Sequence, residues 1–266
     1  MLALPGKMAE TPADGQKQPR FVLRLDPADG QDRKLGGLAL GLRLALDAQA
    51  AGASAIVVPE AAAELRALLL DPRLRVPVVA TPPDDAGVLS APARLLAHRA
   101  TLKELSLRLA PGSVLSVSDV REPPSVAYSF APLDVSSPEV AGRAESALFR
   151  SLRKPQDGWT SRHLNRYISL SISRWLVKTP LRPNQVSVGI LGVGVLGAVM
   201  AAQGGYANLA LGAALFQAQS VLDGCDGEMS RVSHRGSKMG EWLDTIGDDL
   251  TNYGFFGGAG LGLYRQ

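Results

Sequence analysis

The sequence predicts a two-part protein: an α/β domain built on a parallel sheet, followed by an α-helical transmembrane domain. Three observations predict this. Between residues 21 and 145, short apolar or β-branched runs alternate with Ala- and Leu-rich stretches of helical length. Beyond residue 183, uncharged apolar runs occupy 186–203 and 206–222, and a third, 242–264, carries only the acids Asp244, Asp248 and Asp249. Four acids at fixed spacing, Asp223, Asp226, Asp244 and Asp248, fall between or inside these runs.

Residues 1–20 mix Lys7, Glu10, Asp14, Lys17 and Arg20 with prolines and have no apolar segment, so they read as a disordered leader rather than a signal peptide. The α/β domain is expected over 21–145. Strands are predicted at 21–25, 54–58, 76–80 and 114–117, and helices at 38–51, 61–70 and 95–109. Strands alternating with helices imply parallel pairing through crossovers, and continuous apolar strands imply a sheet covered on both faces. Residues 122–140, with their Pro and Ser clusters, read as loop and linker, and 141–152 as a short helix. The span 146–182 is predicted to be a linker leading into an amphipathic juxtamembrane helix. Over 160–178, Leu164, Tyr167, Ile168, Ile172, Trp175 and Leu176 form an apolar stripe, with Arg162, Arg166, Arg174 and Lys178 elsewhere. Such a helix suits the headgroup plane of a membrane. Pro183 suits the first turn of the next helix, where its missing N–H costs nothing.

Charge and cysteine content narrow the function. A net charge of +3 is too small to mark a nucleic-acid binder. Basic residues gather before the first apolar run and again at Arg231, Arg235 and Lys238, placing both segments, the N-terminal domain and the acids on the cytoplasmic side of the membrane. The only cysteine, Cys225, excludes an internal disulfide or a Cys-based zinc site and reads as a small spacer between two acids.

The acids carry the chemistry. Asp223 with Asp226, and Asp244 with Asp248, stand at i,i+3 and i,i+4, which puts each pair on one helix face. Carboxylates at the end of or within apolar helices are costly unless paired or bound to a metal. Four oxygen donors suit Mg²⁺ or Mn²⁺, and a two-metal carboxylate site is a usual device for displacement at phosphorus. Asp249 faces another side of the helix and is expected to make a polar contact within the bundle. His234 is expected to be solvated in the loop between the pairs.

Written out, the stretch is D-x2-D-G-x2-S-R-x8-G-x3-D-x3-D, from Asp223 to Asp248. It closely resembles the signature of the CDP-alcohol phosphotransferases (CDP-alcohol phosphatidyltransferases), with Ser230 where that family has Ala. The 157–166 run, D-G-x-x-S-R-x-x-N-R, and the Pro183-Asn184 element resemble the same family. The resemblance implies transfer of a substituted phosphate from a CDP-linked donor to a polar alcohol, such as an inositol phosphate, with release of CMP. It implies Asp223, Asp226, Asp244 and Asp248 as ligands of two Mg²⁺ or Mn²⁺ ions, with Asp248 also the general base. It further implies nucleotide contacts from Asp223, Gly227, Ser230, Arg231 and Gly240. Arg235 and Lys238 are candidates for acceptor or lipid phosphate. The family pairs as homodimers; Gly254, Gly258 and Gly262 would suit either that contact or packing within one bundle. The family has six spanning helices, and three are expected here, in 183–266. The alternative reading is therefore a catalytically incomplete membrane interaction protein.

The N-terminal domain resembles the first part of the nucleotidyltransferase domain in inositol-phosphate cytidylyltransferase/phosphotransferase proteins, through Gly36-Gly37-Leu38, Ala51-Gly52-Ala53 and Ile56-Val57-Val58. Where those proteins carry a Gly-rich phosphate loop, this chain has residues 26–33, with one Gly and three acids. A triphosphate would be repelled, so the domain is read as a degenerate scaffold, and Asp119 as a turn residue.

Overall fold

A computed structural model describes residues 21–153 and 165–265. The expected leader, and residues 157–164 of the juxtamembrane run, lie outside the described residues.

The α/β half opens with β1 (Phe21–Asp26), whose Val22, Leu23 and Leu25 are fully enclosed, as a central parallel strand requires. A small hairpin, β2 (Lys34–Leu35) and β3 (Leu38–Ala39), leads into α1 (Leu40–Ala51). Gly52 closes α1 in the left-handed region, φ 101°, which favours glycine. Then follow β4 (Ala55–Val57), α2 (Ala63–Leu68), β5 (Val78–Val79), β6 (Gly87–Pro92) and β7 (Leu95–Leu96). After these come α3 (Arg99–Ser106), β8 (Val114–Ser116), β9 (Leu133–Asp134) and α4 (Pro138–Arg150). The main sheet runs β5-β4-β1-β6-β8, all parallel.

The parallel sheet is as expected, with two corrections. Residues 87–92 form a central strand that the sequence reading passed over: β6 pairs with β1 along its whole length, from Phe21–Gly87 to Asp26–Pro92. Its bounding Gly and Pro read as turn residues, but Pro92 stands at the strand's end, where its missing donor is tolerated. The helix expected over 95–109 is shorter, because Leu95 and Leu96 pair with β9 and His98 caps α3 by accepting from the Ala100 N–H. The expected domain edge near 145 falls inside α4. That helix packs Ala144 with Leu35, Leu40 and Leu96 of the α/β half, and Phe149 with Leu170 and Val232 of the helical half.

The helical half comprises α5 (Arg166–Leu176), α6 (Pro183–Ala202), α7 (Tyr206–Leu222), α8 (Gly224–Ser233) and α9 (Lys238–Tyr264). Pro183 begins α6, as expected. Glycines let α6 and its neighbours touch backbone to backbone. A Cβ on Gly258 would stand 2.5 Å from the Ala198 carbonyl oxygen, and one on Gly262 would overlap that of Ala201. Gly254, Gly258 and Gly262 all thus face α6 inside the chain, Gly254 with a would-be Cβ 3.6 Å from that of Ala198. Among the described residues, α6 alone is long and apolar enough to cross a membrane, with mean hydropathy 1.9. The second apolar run is a 17-residue helix, and the third lies within the longer α9.

The two halves meet at the end of α8. Arg73, held by Asp71 at 2.7 Å, donates from Nη1 to the Ser233 carbonyl at 2.6 Å. His234 ends α8 in the left-handed region and sets its Nε2 3.3 Å from Asp47 Oδ1. It is therefore half-buried at the seam rather than solvated.

Candidate active site

Helix α8 organises the site, and two helices hold it. Asp223 stands at its N-cap, and Asp226, Gly227, Ser230 and Arg231 follow along it. Helix α9 supplies Gly240, Asp244 and Asp248, and the first turns of α6 supply Asn184 and Ser187.

Between them lies a cleft of about 320 Å³ walled by Asp226, Gly227, Ser230, Arg231, Gly240 and Asp244, together with Asn184, Ser187 and Arg235. An adjoining crevice is lined by all four predicted carboxylates, Asp223, Asp226, Asp244 and Asp248, and by Ser187 and Gln219. Predicted site residues from two separate helices thus share one pair of cavities. Lys238 is the exception; it is exposed at the start of α9 and lines neither. Asp249 is exposed as well, rather than buried in a bundle contact.

Each glycine has a local reason. The Arg231 guanidinium lies over Gly227, 3.3 Å from where a Cβ would stand. A Cβ on Gly240 would come 3.0 Å from Asn184 Oδ1, so this glycine lets the starts of α6 and α9 close on the cleft. Ser237 caps α9, accepting from the Gly240 N–H at 3.0 Å.

Electrostatically the acids crowd one another. Asp226 is buried; it accepts from the Ser187 hydroxyl and from the Gly227 N–H. Burial, and then the charges of Asp248, Asp244 and Asp226, push the Asp223 carboxyl up to about 7. Asp223 and Asp248 share a hydrogen bond. Acids in such surroundings gain from a hard cation. Among the described residues, however, no three acidic, His or Cys side chains are already gathered to hold a metal ion. The donor chemistry of the four carboxylates fits Mg²⁺ or Mn²⁺.

The opposite face of α8 carries a residue that the sequence reading missed. Glu228 is fully buried and accepts from Arg166 Nη1 at 2.7 Å, Ser169 Oγ at 2.8 Å and Ser173 Oγ at 2.7 Å, all from α5. Gly224 makes room for this contact, since a Cβ there would stand 3.2 Å from Arg166 Nη1. Cys225 packs in the same seam, and burial raises its thiol to about 11, which fits an unreactive spacer. As a result α5 turns Arg166, Ser169 and Ser173 inward and leaves Tyr167 and Trp175 exposed.

With this geometry in place, the comparison with known proteins becomes specific. The model of the CDP-alcohol phosphatidyltransferase family matches residues 181–264. The resemblance read from the acid spacing is therefore borne out. The matched segment runs from the start of α6 to the end of α9 and includes every acid of the crevice. Similar curated proteins are each called "Bifunctional IPC transferase and DIPP synthase". That of Thermococcus kodakarensis is 37% identical over 145 residues, 53% of this chain and 32% of its own length. That of Aquifex aeolicus is 36% identical over 132 residues, 49% of this chain and 30% of its own. That of Rubrobacter xylanophilus is 40% identical over 134 residues, again 49% and 30%. The match thus spans about a third of the length of these relatives.

Proposed function

We propose that this protein is a membrane-embedded CDP-alcohol phosphotransferase. It would move a substituted phosphate from a CDP-linked donor to a polar alcohol or inositol-phosphate acceptor and release CMP. The observation that carries the reading is the shared cleft and crevice, where Gly227, Ser230, Arg231 and Gly240 stand beside the four carboxylates.

In this reading Asp223, Asp226, Asp244 and Asp248 hold two Mg²⁺ or Mn²⁺ ions, which neutralise charge on the diphosphate and the leaving CMP. Arg231 pairs with the nucleotide phosphates, and Gly227 and Gly240 keep the cleft open to it. Asp248 takes the proton of the acceptor hydroxyl as attack begins. Ser187, donating to Asp226, holds that carboxylate toward the crevice. Arg235, on the cleft wall, meets the acceptor or a lipid phosphate, and Lys238 serves lipid phosphate alone.

The membrane setting is supported by the exposed apolar side chains of α6, α7 and α9, among them Val195, Val199, Leu211, Tyr253 and Phe256. Tyr167 and Trp175 on α5 add an aromatic face suited to the headgroup level. The α/β domain and the site lie on the cytoplasmic side, by the basic residues around them. Apolar faces outside the α6–α9 glycine contact remain open for a second copy of the chain.

The test is CMP release by membranes carrying the protein. CDP-diacylglycerol or CDP-inositol would serve as donor, and inositol, inositol phosphate or glycerol phosphate as acceptor, with and without Mn²⁺ or Mg²⁺. Metal-dependent release that vanishes in Asp248→Asn is the expected result. Release that persists in Asp248→Asn would refute the assigned base.

A further inference from the structure

A second cavity, of about 860 Å³, lies where the α/β domain meets α8. Seven arginines line it, Arg43, Arg73, Arg75, Arg99, Arg153, Arg231 and Arg235, against two carboxylates, Asp47 and Glu241. Arg73 is already engaged with Asp71 and Ser233, and Asp47 with His234. Among the described residues, no carboxylate stands within ion-pair distance of the other six arginines.

Two of these arginines make the cavity more than a solvated basic surface. Arg43 is 2% exposed; its Nη2 donates to the Leu35 carbonyl at 2.7 Å, while its Nε has no hydrogen-bond partner. Arg153 Nε is likewise buried and without a partner. An unsatisfied buried donor is costly, more so when charged, so buried guanidiniums are ordinarily matched. Burial lowers the Arg43 pKa to about 10, which still leaves it charged at neutral pH. Two orphaned guanidinium donors on one basic cavity call for an anion with several acceptor oxygens.

We propose that this interdomain cavity binds a small, soluble, phosphate-bearing polyanion, held by Arg43 and Arg153 within and by Arg75, Arg99 and Arg235 at exposed positions. The volume falls in the usual range for a small-molecule site. Ser230, Arg231 and Arg235 line this cavity and the cleft beside the acids, so the bound anion lies next to the signature helix. The α/β domain thereby keeps a phosphate-binding role, although the segment after β1 is unsuited to a triphosphate. This assignment does not depend on the transferase reading, because it concerns binding without metal.

The experiment is calorimetric titration of the full-length protein with inorganic pyrophosphate in EDTA, which removes any cation that could draw the probe to the acid crevice. Saturable, salt-sensitive binding is expected. The double variant Arg75→Gln/Arg99→Gln, both exposed positions whose side chains make no hydrogen bond or ion pair among the described residues, should weaken it at least tenfold. Arg24→Gln, an exposed arginine elsewhere on the domain, should leave it unchanged. Arg43→Met should abolish binding; if that variant does not fold, the exposed pair still decides. Absent binding, or equal binding by the double variant, would overturn the proposal. So would a protein that ignores pyrophosphate but binds phosphatidic acid vesicles through Arg75 and Arg99, because the ligand would then be a lipid headgroup. CMP release measured in parallel separates failure here from failure of the transferase assignment.

Discussion

The two faces of α8 treat negative charge in opposite ways. Toward α5, Glu228 is fully buried and meets a guanidinium and two hydroxyls within 2.8 Å. Toward α6 and α9, Asp223 and Asp226 meet Asp244 and Asp248 in a shared crevice. A buried charge with matched partners inside the chain is structural, and its partners fix the helix's position. Acids arranged against other acids raise one another's proton affinity and gain from a cation supplied from outside. The difference marks one face as holding the helix; the other is the one to which the proposed reading gives the chemistry.

The comparison can be broken most readily at Glu228. Glu228→Ala would remove the acceptor that Arg166, Ser169 and Ser173 share, and should cost about 3–5 kcal/mol of stability, read by thermal or denaturant unfolding. A loss below about 1 kcal/mol would mean that this face is not structural. Gly224→Ala sharpens the same point, since the added methyl crowds Arg166 and Ser169. It should cost about 1–3 kcal/mol in the same assay.

On the acid face the expected effect is on metal and proton binding. A carboxyl raised to about 7 must lose its proton before it holds a cation. Mn²⁺ affinity should therefore fall roughly tenfold for each pH unit below that value, and level off above it. Electron-paramagnetic titration of free Mn²⁺ between pH 5.5 and pH 8, as about evenly spaced points, would show it. Smallest of all, Ser187→Ala removes one hydroxyl donor to Asp226. It should change stability by about 0.5–1.5 kcal/mol and weaken Mn²⁺ binding modestly.

The same contrast explains what could be read from the chain. The acids of the crevice were legible because i,i+3 and i,i+4 spacing on a helix places side chains together without knowledge of the rest. The alternating α/β pattern was legible for the same local reason. Glu228 was not, because its partners lie 55 to 62 residues earlier and no spacing rule connects them. For the same reason the inward face of α5 was not legible: Arg166, Ser169 and Ser173 turn toward the buried Glu228, while Tyr167 and Trp175 of the apolar stripe stay exposed. His234 read as solvated because Asp47, its partner, belongs to the other half of the molecule. Strand β6 was hidden by its own Gly and Pro, and by a pairing with β1 from 66 residues away. The basic interdomain cavity likewise gathers arginines from positions 43 to 235 and appears only once the halves are docked.

The most direct test pairs the two faces in one thermal-unfolding experiment. The protein, Asp223→Asn and Glu228→Gln would each be melted with and without Mn²⁺. The account predicts that Mn²⁺ raises the unmodified protein's melting temperature. Asp223→Asn should melt at or above that protein's metal-free temperature yet lose the Mn²⁺ shift, whereas Glu228→Gln should melt well below it and keep the shift. An Asp223→Asn protein that is strongly destabilised, or that still responds fully to Mn²⁺, would contradict the division of α8 into a structural face and a chemical one.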